Sequence, residues 1–261
     1  MGVPDYLLRL MSDCPCELNG LKVLVTRPEG QAEALSSAIL DCGGKVERLP
    51  LLAIEPNLSE TDRRKLENSH TFSDLVFVSP NAVRFSAHAL APGKARVIAI
   101  GEGTAALLEE QAVRVDLVPQ RSTSEGLLED ERLGAMRGRK VLIVRGHGGR
   151  ELLADSLRRL GAEVEYAEVY RREPPPPPSP ELLAAWRDRV DAMIVTSEQM
   201  LKNLVELTRF DQNVLNTPLI LISERLQNSA ETLGFVHILR SETPYTCDLL
   251  VSLCKQVTRQ E

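Results

Sequence analysis

The chain has 261 residues, 43% of them hydrophobic and 26% charged, enough for two ordinary domains with cores of their own. Its net charge of -6 argues against sequence-independent binding to DNA or RNA, and its five cysteines, an odd number spread through the chain, predict reduced thiols instead of a disulfide framework. No apolar run approaches the roughly 18 residues of a membrane span, and residues 1–20 lack the basic start and long apolar run of a secretory signal, so a cytoplasmic location is expected.

Residues 22–56 open on VLVTR, an apolar run too short for a helix and suited to a strand buried on both faces. A turn containing Gly30 follows, then Ala34, Leu35, Ala38 and Ile39 at helical spacing, with Gly43 where a left-handed residue ends a helix. KVERLPLLAI reads as the next strand, which makes a βαβ unit with parallel strands. DLVFVS (74–79) predicts a strand before a helix from Asn81, and RVIAIG (96–101) a strand before TAALLEEQ, with VDLVP as a further strand. Residues 140–174 then repeat 22–56 without a gap. Lys22, Arg27, Gly30, Glu33, Gly43 and Glu55 recur as Lys140, Arg145, Gly148, Glu151, Gly161 and Glu173, and EVEYAEVYRR takes the place of the second strand. A repeat this long marks a duplicated half. DAMIVTS before EQMLKNLVEL, PLILIS before ERLQNSAETLG, and VHILR complete the pattern.

This alternation predicts two open α/β sheets with helices on both faces. The second copy ends before the remaining partners of the first copy's sheet, so the domains read as discontinuous: 21–51 with 173–261, and 56–169 inserted. Two extended crossings, near 48–56 and 166–175, then join them, and such a connection bends easily. Residues 174–180, six prolines and Ser179, read as a stiff connector in preference to a polyproline ligand.

Cys14-Pro-Cys16 has no second Cys or His pair at ligand spacing, and the histidines are scattered singly, so no metal is expected. Gly101-Glu102-Gly103-Thr104-Ala105-Ala106 matches a dinucleotide fingerprint, but Asp116 comes too early for the ribose-binding acid and the motif does not open its half. A helix start needing small residues, or an anion site of backbone N–H groups, explains it as well. Ser79, Asn81, Thr104, Ser124 and Ser197 also fall at strand ends or helix starts, and Ser122 with Glu125 reads as a capping box. Arg27 and Arg145 occupy identical places after the first strand of each copy. Ligands of open α/β sheets lie beyond the carboxyl ends of the strands, so these donors point to an anionic small molecule. A non-catalytic binder of such a ligand and a nucleotide-dependent reductase stand as alternatives to an enzyme acting on it. Ligand held without turnover marks the first, and NAD(P)H binding the second.

VLVTRPEGQAEAL, LPLLAIEP, DLVFVSPNAV, AIGEGTA, TSEGLL, VLIVRGHGGRELLADSLRRLGAEVEYAEVYRR and DAMIVTS, in that order, resemble the bacterial uroporphyrinogen-III synthase family over residues 21–253. The resemblance implies two similar three-layer (αβα) parallel-sheet domains of flavodoxin or Rossmann type, joined by a two-strand ladder and acting as a monomer. It implies a cofactor-free lyase that closes hydroxymethylbilane, a linear tetrapyrrole, into uroporphyrinogen III, with loss of water and inversion of ring D, in heme, siroheme and cobalamin biosynthesis. Tyr170 matches the family's tyrosine on the crossing strand and is expected to donate to the departing hydroxyl. Thr104, Ser79 and Ser197 match a threonine and two serines expected to bind substrate carboxylates, alongside Ser124, Arg27 and Arg145. Asn81 stands where some relatives have arginine. Ser223-Glu224-Arg225 departs from the family's Gly-Pro-x-Thr, which leaves Arg225 as the carboxylate partner there.

Overall fold

The strands of the chain, taken from a computed structural model that describes residues 15–175 and 190–260, are β1 (Lys22–Val25), β2 (Lys45–Arg48), β3 (Ala53–Pro56), β4 (Asp74–Phe77), β5 (Arg96–Ala99), β6 (Lys140–Gly146), β7 (Glu163–Glu173), β8 (Ala192–Ile194), β9 (Leu219–Leu221) and β10 (Ile238–Arg240). Cys14 and the connector from residue 176 lie outside the described residues. The chain divides into an outer unit, made of the residues up to Ala53 and those from Glu173, and an inserted unit, Ile54–Arg172.

Each unit is built on one sheet. In the outer unit the order is β2-β1-β8-β9-β10, and every adjacent pair is parallel. In the inserted unit it is β3-β7-β6-β4-β5, with β7-β6, β6-β4 and β4-β5 parallel. The two copies of the repeat thus occupy equivalent places: β2-β1 and β7-β6 each pair the second strand of a copy with its first. Both intervening helices, Glu33–Asp41 and Leu152–Arg159, end the same way. Gly43 (φ 74°) and Gly161 (φ 90°) take the left-handed turn, while the next residue's N–H returns to Ile39 or Leu157.

Strand side chains alternate between two faces, and the inserted sheet uses both. Leu75, Phe77, Leu142 and Val144 pack into one apolar cluster with Val169 and Tyr170. Val76, Val141 and Ile143 pack into another with Leu153 and Leu157. Helices therefore cover the sheet on each side, as runs buried on both faces require.

Three expectations change. KVERLPLLAI is two strands: β2 ends at Arg48, and after Pro50, which has no N–H to give a ladder, β3 joins the other sheet beside β7. VDLVP makes a single parallel bridge, Ile98 to Leu117, because the Asp116 carboxylate takes the Val97 N–H and Pro119 stops the ladder. The cysteines are not all reduced. Cys16 and Cys254 form a disulfide, Cys42 is also disulfide-bonded, and Cys247 is free. Counting cysteines could not reveal this, because the pairing depends on both ends of the chain packing on one core cluster: Cys16 and Cys254 lie against Leu35, Leu249 and Leu253, with their Cα atoms 5.9 Å apart.

Asp74, at the start of β4, is fully buried and holds the base of the inserted sheet together. It accepts from Arg96 Nε (2.6 Å) and from Arg139 Nη2 (2.9 Å), and Arg96 continues to the carbonyls of Arg132 and Leu133. Asp74→Ala leaves two guanidinium groups facing an apolar hole, so denaturant titration is expected to find a loss of about 3 kcal/mol. Cys254→Ser opens a loop spanning most of the chain and is expected to cost ~2–4 kcal/mol of stability. A dithiol reductant then lowers Tm by more in the wild type than in the variant, which keeps only the disulfide at Cys42.

Candidate functional site

β6 runs straight to Val144 and then slips. Arg145 is opposite Glu168 on β7, but Gly146 is opposite Tyr170, so Val169 is the extra residue of a bulge. Bulges re-aim side chains at strand ends, and this one lays the Tyr170 ring across Gly146. A Cβ at Gly146 would sit 2.5 Å from that ring, so the position accepts no side chain. The chain leaves β6 through Gly148 (φ 67°) and Gly149 (φ 113°) before the helix Leu152–Arg159, the second of them in a region that L side chains avoid.

The turn and the bulge together wall a pocket of about 360 Å³, lined by Ser124, Arg145, Arg150, Tyr166, Tyr170 and Arg172 among others, with no carboxylate in its lining. Arg145 is 7% exposed and largely neutralised: Nη1 is 3.0 Å from Glu151, Nε is 3.4 Å from Glu168, and the guanidinium lies 4.2 Å above the Tyr166 ring. The Tyr166 hydroxyl donates to Glu151, and this bond, more than Arg145, holds the Glu151 carboxyl below its ordinary range. Burial raises the Tyr166 phenol, with Glu151 adding to the effect. Glu168 also accepts from the Gly148 N–H (3.2 Å) and meets His147 Nδ1 at 2.7 Å. Arg150, which reaches Glu125 at 3.1 Å, and Arg172 are the other cations of the pocket wall.

Tyr170 is 1% exposed, its ring 5.9 Å from that of Phe85. The hydroxyl lies 3.1 Å from Ser79 Oγ and accepts from Arg172 Nη2 at 3.0 Å. Ser79 is the N-cap of the short helix Pro80–Arg84, accepting from the Ala82 N–H at 3.2 Å, and Asn81 lies in that helix's first turn. Thr104 is buried in the first turn of Glu102–Glu110. The helix's N-cap is Gly101, where a Cβ would meet Ser122 Oγ at 2.8 Å, so close packing accounts for that glycine of the fingerprint. Ser122 does not form the expected capping box. The helix Ser124–Glu129 starts one residue later, and Thr123 caps it by accepting from the Gly126 N–H at 3.0 Å, which leaves Ser124 on the pocket wall.

In the outer unit Arg27 donates to the Pro244 carbonyl, and burial disfavours its charged form. Ser197 caps Glu198–Thr208 by accepting from the Met200 N–H (3.2 Å), and exposed Arg225 pairs with Glu198 at 3.5 Å. Of the expected residues, Ser124, Arg145 and Tyr170 meet at one pocket with Ser79 behind them. Asn81 and Thr104 lie in the first turns of two helices of the same unit, and Arg27, Ser197 and Arg225 belong to the other unit. Arg150, Tyr166 and Arg172 were not expected. Arg172 had a signal, since residues two apart on a strand share a face.

Residues 33–250 match the family described as "Uroporphyrinogen-III synthase HemD". The uroporphyrinogen-III synthase of Salmonella typhimurium is 35% identical over 238 residues, covering 84% of this chain and 94% of the relative. That of Escherichia coli is 34% identical over 230 residues, covering 84% and 94%. Uroporphyrinogen-III synthetase from Helicobacter pylori superposes with a TM-score of 0.62 at 17% identity, over 90% of this chain and 99% of that one. A mutant of the Thermus thermophilus enzyme gives 0.60 at 19%, over 92% and 100%. At such identities the two structures bear on the fold alone.

If the ring of Tyr170 is what forbids a side chain at residue 146, the two positions are coupled energetically. Gly146→Ala is expected to cost ~1–3 kcal/mol in the wild type and clearly less in a Tyr170→Ala background. A double-mutant cycle by chemical unfolding measures it, and additive effects would refute the contact.

Proposed function

The chain belongs to the uroporphyrinogen-III synthase family and is an enzyme of tetrapyrrole biosynthesis that forms uroporphyrinogen III; from that premise we propose how its inserted unit handles the substrate. The substrate in this reading is hydroxymethylbilane, whose side arms are carboxylates and whose free end carries the leaving hydroxyl. The reaction is a lyase-type ring closure that needs no cofactor. Water leaves, the substituted α-carbon of ring D attacks to give a spiro intermediate, its bond to the bridge from ring C then breaks, and that bridge carbon joins the free α-carbon of ring D with loss of a proton, leaving D inverted.

The observation that carries the reading is a carboxylate-free pocket lined by arginines with a tyrosine in its wall. An electron-rich pyrrolylmethanol loses its hydroxyl readily. The protein therefore has two tasks, to protonate the departing oxygen and to hold the chain where the attack falls on the substituted carbon. Tyr170 performs the first: its proton passes to the hydroxyl as the C–O bond breaks, water departs, and a phenolate remains. The proton lost when the attacked pyrrole regains aromaticity restores the phenol.

Holding the chain falls to donors for its carboxylates. Arg150, with Ser124 beside it, is the cationic group free to turn toward the pocket, since its bond to Glu125 is exposed and weak. Arg145, set between Glu151 and Glu168, shapes the turn and presents one edge to the ligand. Ser79, Asn81 and Thr104 extend the donor row over the neighbouring helix starts, and Arg27, Ser197 and Arg225 form the corresponding set of the outer unit. The same reading makes the enzyme a cytoplasmic monomer. The Cys16–Cys254 bridge argues the other way, because disulfides are rare in reducing compartments.

The test is to generate hydroxymethylbilane in situ, add the protein, oxidise the product and determine the isomer ratio. Type III is expected, and a product no different from the type I of spontaneous closure would overturn the reading. Within the same assay Arg150→Ala is expected to lower kcat/KM by about 10-fold through KM, the scale of one charge-assisted hydrogen bond. An unchanged KM would place the carboxylate elsewhere.

A further inference from the structure

Arginine has no lone pair to give, so in the contact between Arg172 Nη2 and the Tyr170 hydroxyl at 3.0 Å the phenol oxygen must be the acceptor. That fills one of its two lone pairs. The second contact, with Ser79 Oγ at 3.1 Å, is open to either direction by distance. Ser79 Oγ also accepts the Ala82 N–H, which leaves its own proton and one further lone pair for the phenol. The Tyr170 proton is then left to Ser79 Oγ or to whatever occupies the pocket it lines.

We propose that Arg172 is the positioning residue of the site, which by donating to the Tyr170 oxygen holds the hydroxyl in the pocket wall and stabilises the phenolate left when its proton goes. The inference rests on the proposed role of Tyr170 and adds to it the reason a buried tyrosine can act as an acid there. Several features support a built arrangement. The Arg172 guanidinium also lies 5.3 Å from the centre of the Tyr170 ring, so it follows the ring as well as the oxygen. Arg172 and Tyr170 stand two apart on β7, on one face of one strand, which ties their relation to the strand itself and not to a loop. The bare backbone of Gly146 packs directly against the ring, where a Cβ would sit 2.5 Å from it. Negative charge develops on the phenol oxygen only as the C–O bond breaks. A cation already aimed at it therefore acts on the transition state more than on the bound substrate.

The competing role for Arg172 is a clamp on a substrate carboxylate, and kinetics separate the two. The experiment compares Arg172→Met, Arg172→Lys and the wild type in the isomer assay, each with Tyr170 intact and as Tyr170→Phe. Arg172 is exposed, so its variants are expected to fold, and far-UV circular dichroism checks that they do. The expected result is a fall in kcat of roughly 10- to 100-fold for Arg172→Met with KM within about 2-fold, the range of a lost charge-assisted hydrogen bond. Arg172→Lys, which keeps a charged donor, recovers most of it. In the Tyr170→Phe background Arg172→Met has nothing further to lose. An unchanged kcat, a rise in KM of the same size in both backgrounds, or a full kcat loss persisting in Tyr170→Phe would each overturn the proposal. None of these touches the proposed function, which stands or falls on whether the wild type makes the type III isomer.

Discussion

The contact of the Tyr170 ring with the bare backbone of Gly146 is the constraint from which the rest of the site follows. It requires the β6–β7 register to slip by one residue, because in regular pairing Val169 would lie opposite Gly146. It requires glycine at 146, and it brings the hydroxyl to the place where Ser79 and Arg172 reach it from a neighbouring helix cap and from the same strand. A tyrosine buried to 1% exposure but carrying two polar partners has little freedom left, and catalytic groups work best when that freedom is spent during folding and not during reaction.

The duplication shows what was added to a common frame. Both copies keep the arginine after the first strand and the glutamate at the helix start, and in both the glutamate is bonded from the equivalent position of the second strand, by Arg48 to Glu33 and by Tyr166 to Glu151. Around this shared frame the copies part. Gly146, Arg150, Tyr170 and Arg172 answer to Pro28, Ala32, Leu52 and Ile54 in the first copy, none of which offers a proton or a charge. Leu52 is buried, whereas Tyr170 is buried with its hydroxyl engaged. The copies thus differ at the four positions that, in the second, line the pocket of the inserted unit.

That difference also explains how far the amino-acid sequence could be read. Strand and helix positions were legible because apolar runs and helical spacing are local, and Gly43 and Gly161 marked the helix ends because only a left-handed residue fits there. The break at Pro50 and the failure of VDLVP to form a strand depend on which sheet edge is near, which composition does not encode. The disulfide is the same case at greater range, since Cys16 and Cys254 meet only once the ends of the chain pack on one core. Tyr170 was expected from the family resemblance, and it lies in the pocket wall. Arg150 was hidden because its place at the pocket is set by the turn through Gly148 and Gly149, and Arg145, expected as a free donor, is claimed by two carboxylates from its own copy.

An acidic chain that holds a polyanionic substrate looks like a contradiction only when charge is summed over the molecule. Exposed charges more than about 10 Å apart are largely screened at ordinary ionic strength, so what the ligand meets is the local set. At this pocket the acids within reach are already satisfied, Glu151 by Tyr166 and Arg145, Glu168 by His147 and the Gly148 N–H. None of them lines the cavity, whereas Arg150 and Arg172 do. The chain's net charge of -6 thus coexists with a stretch of cavity wall that carries arginines and no carboxylate.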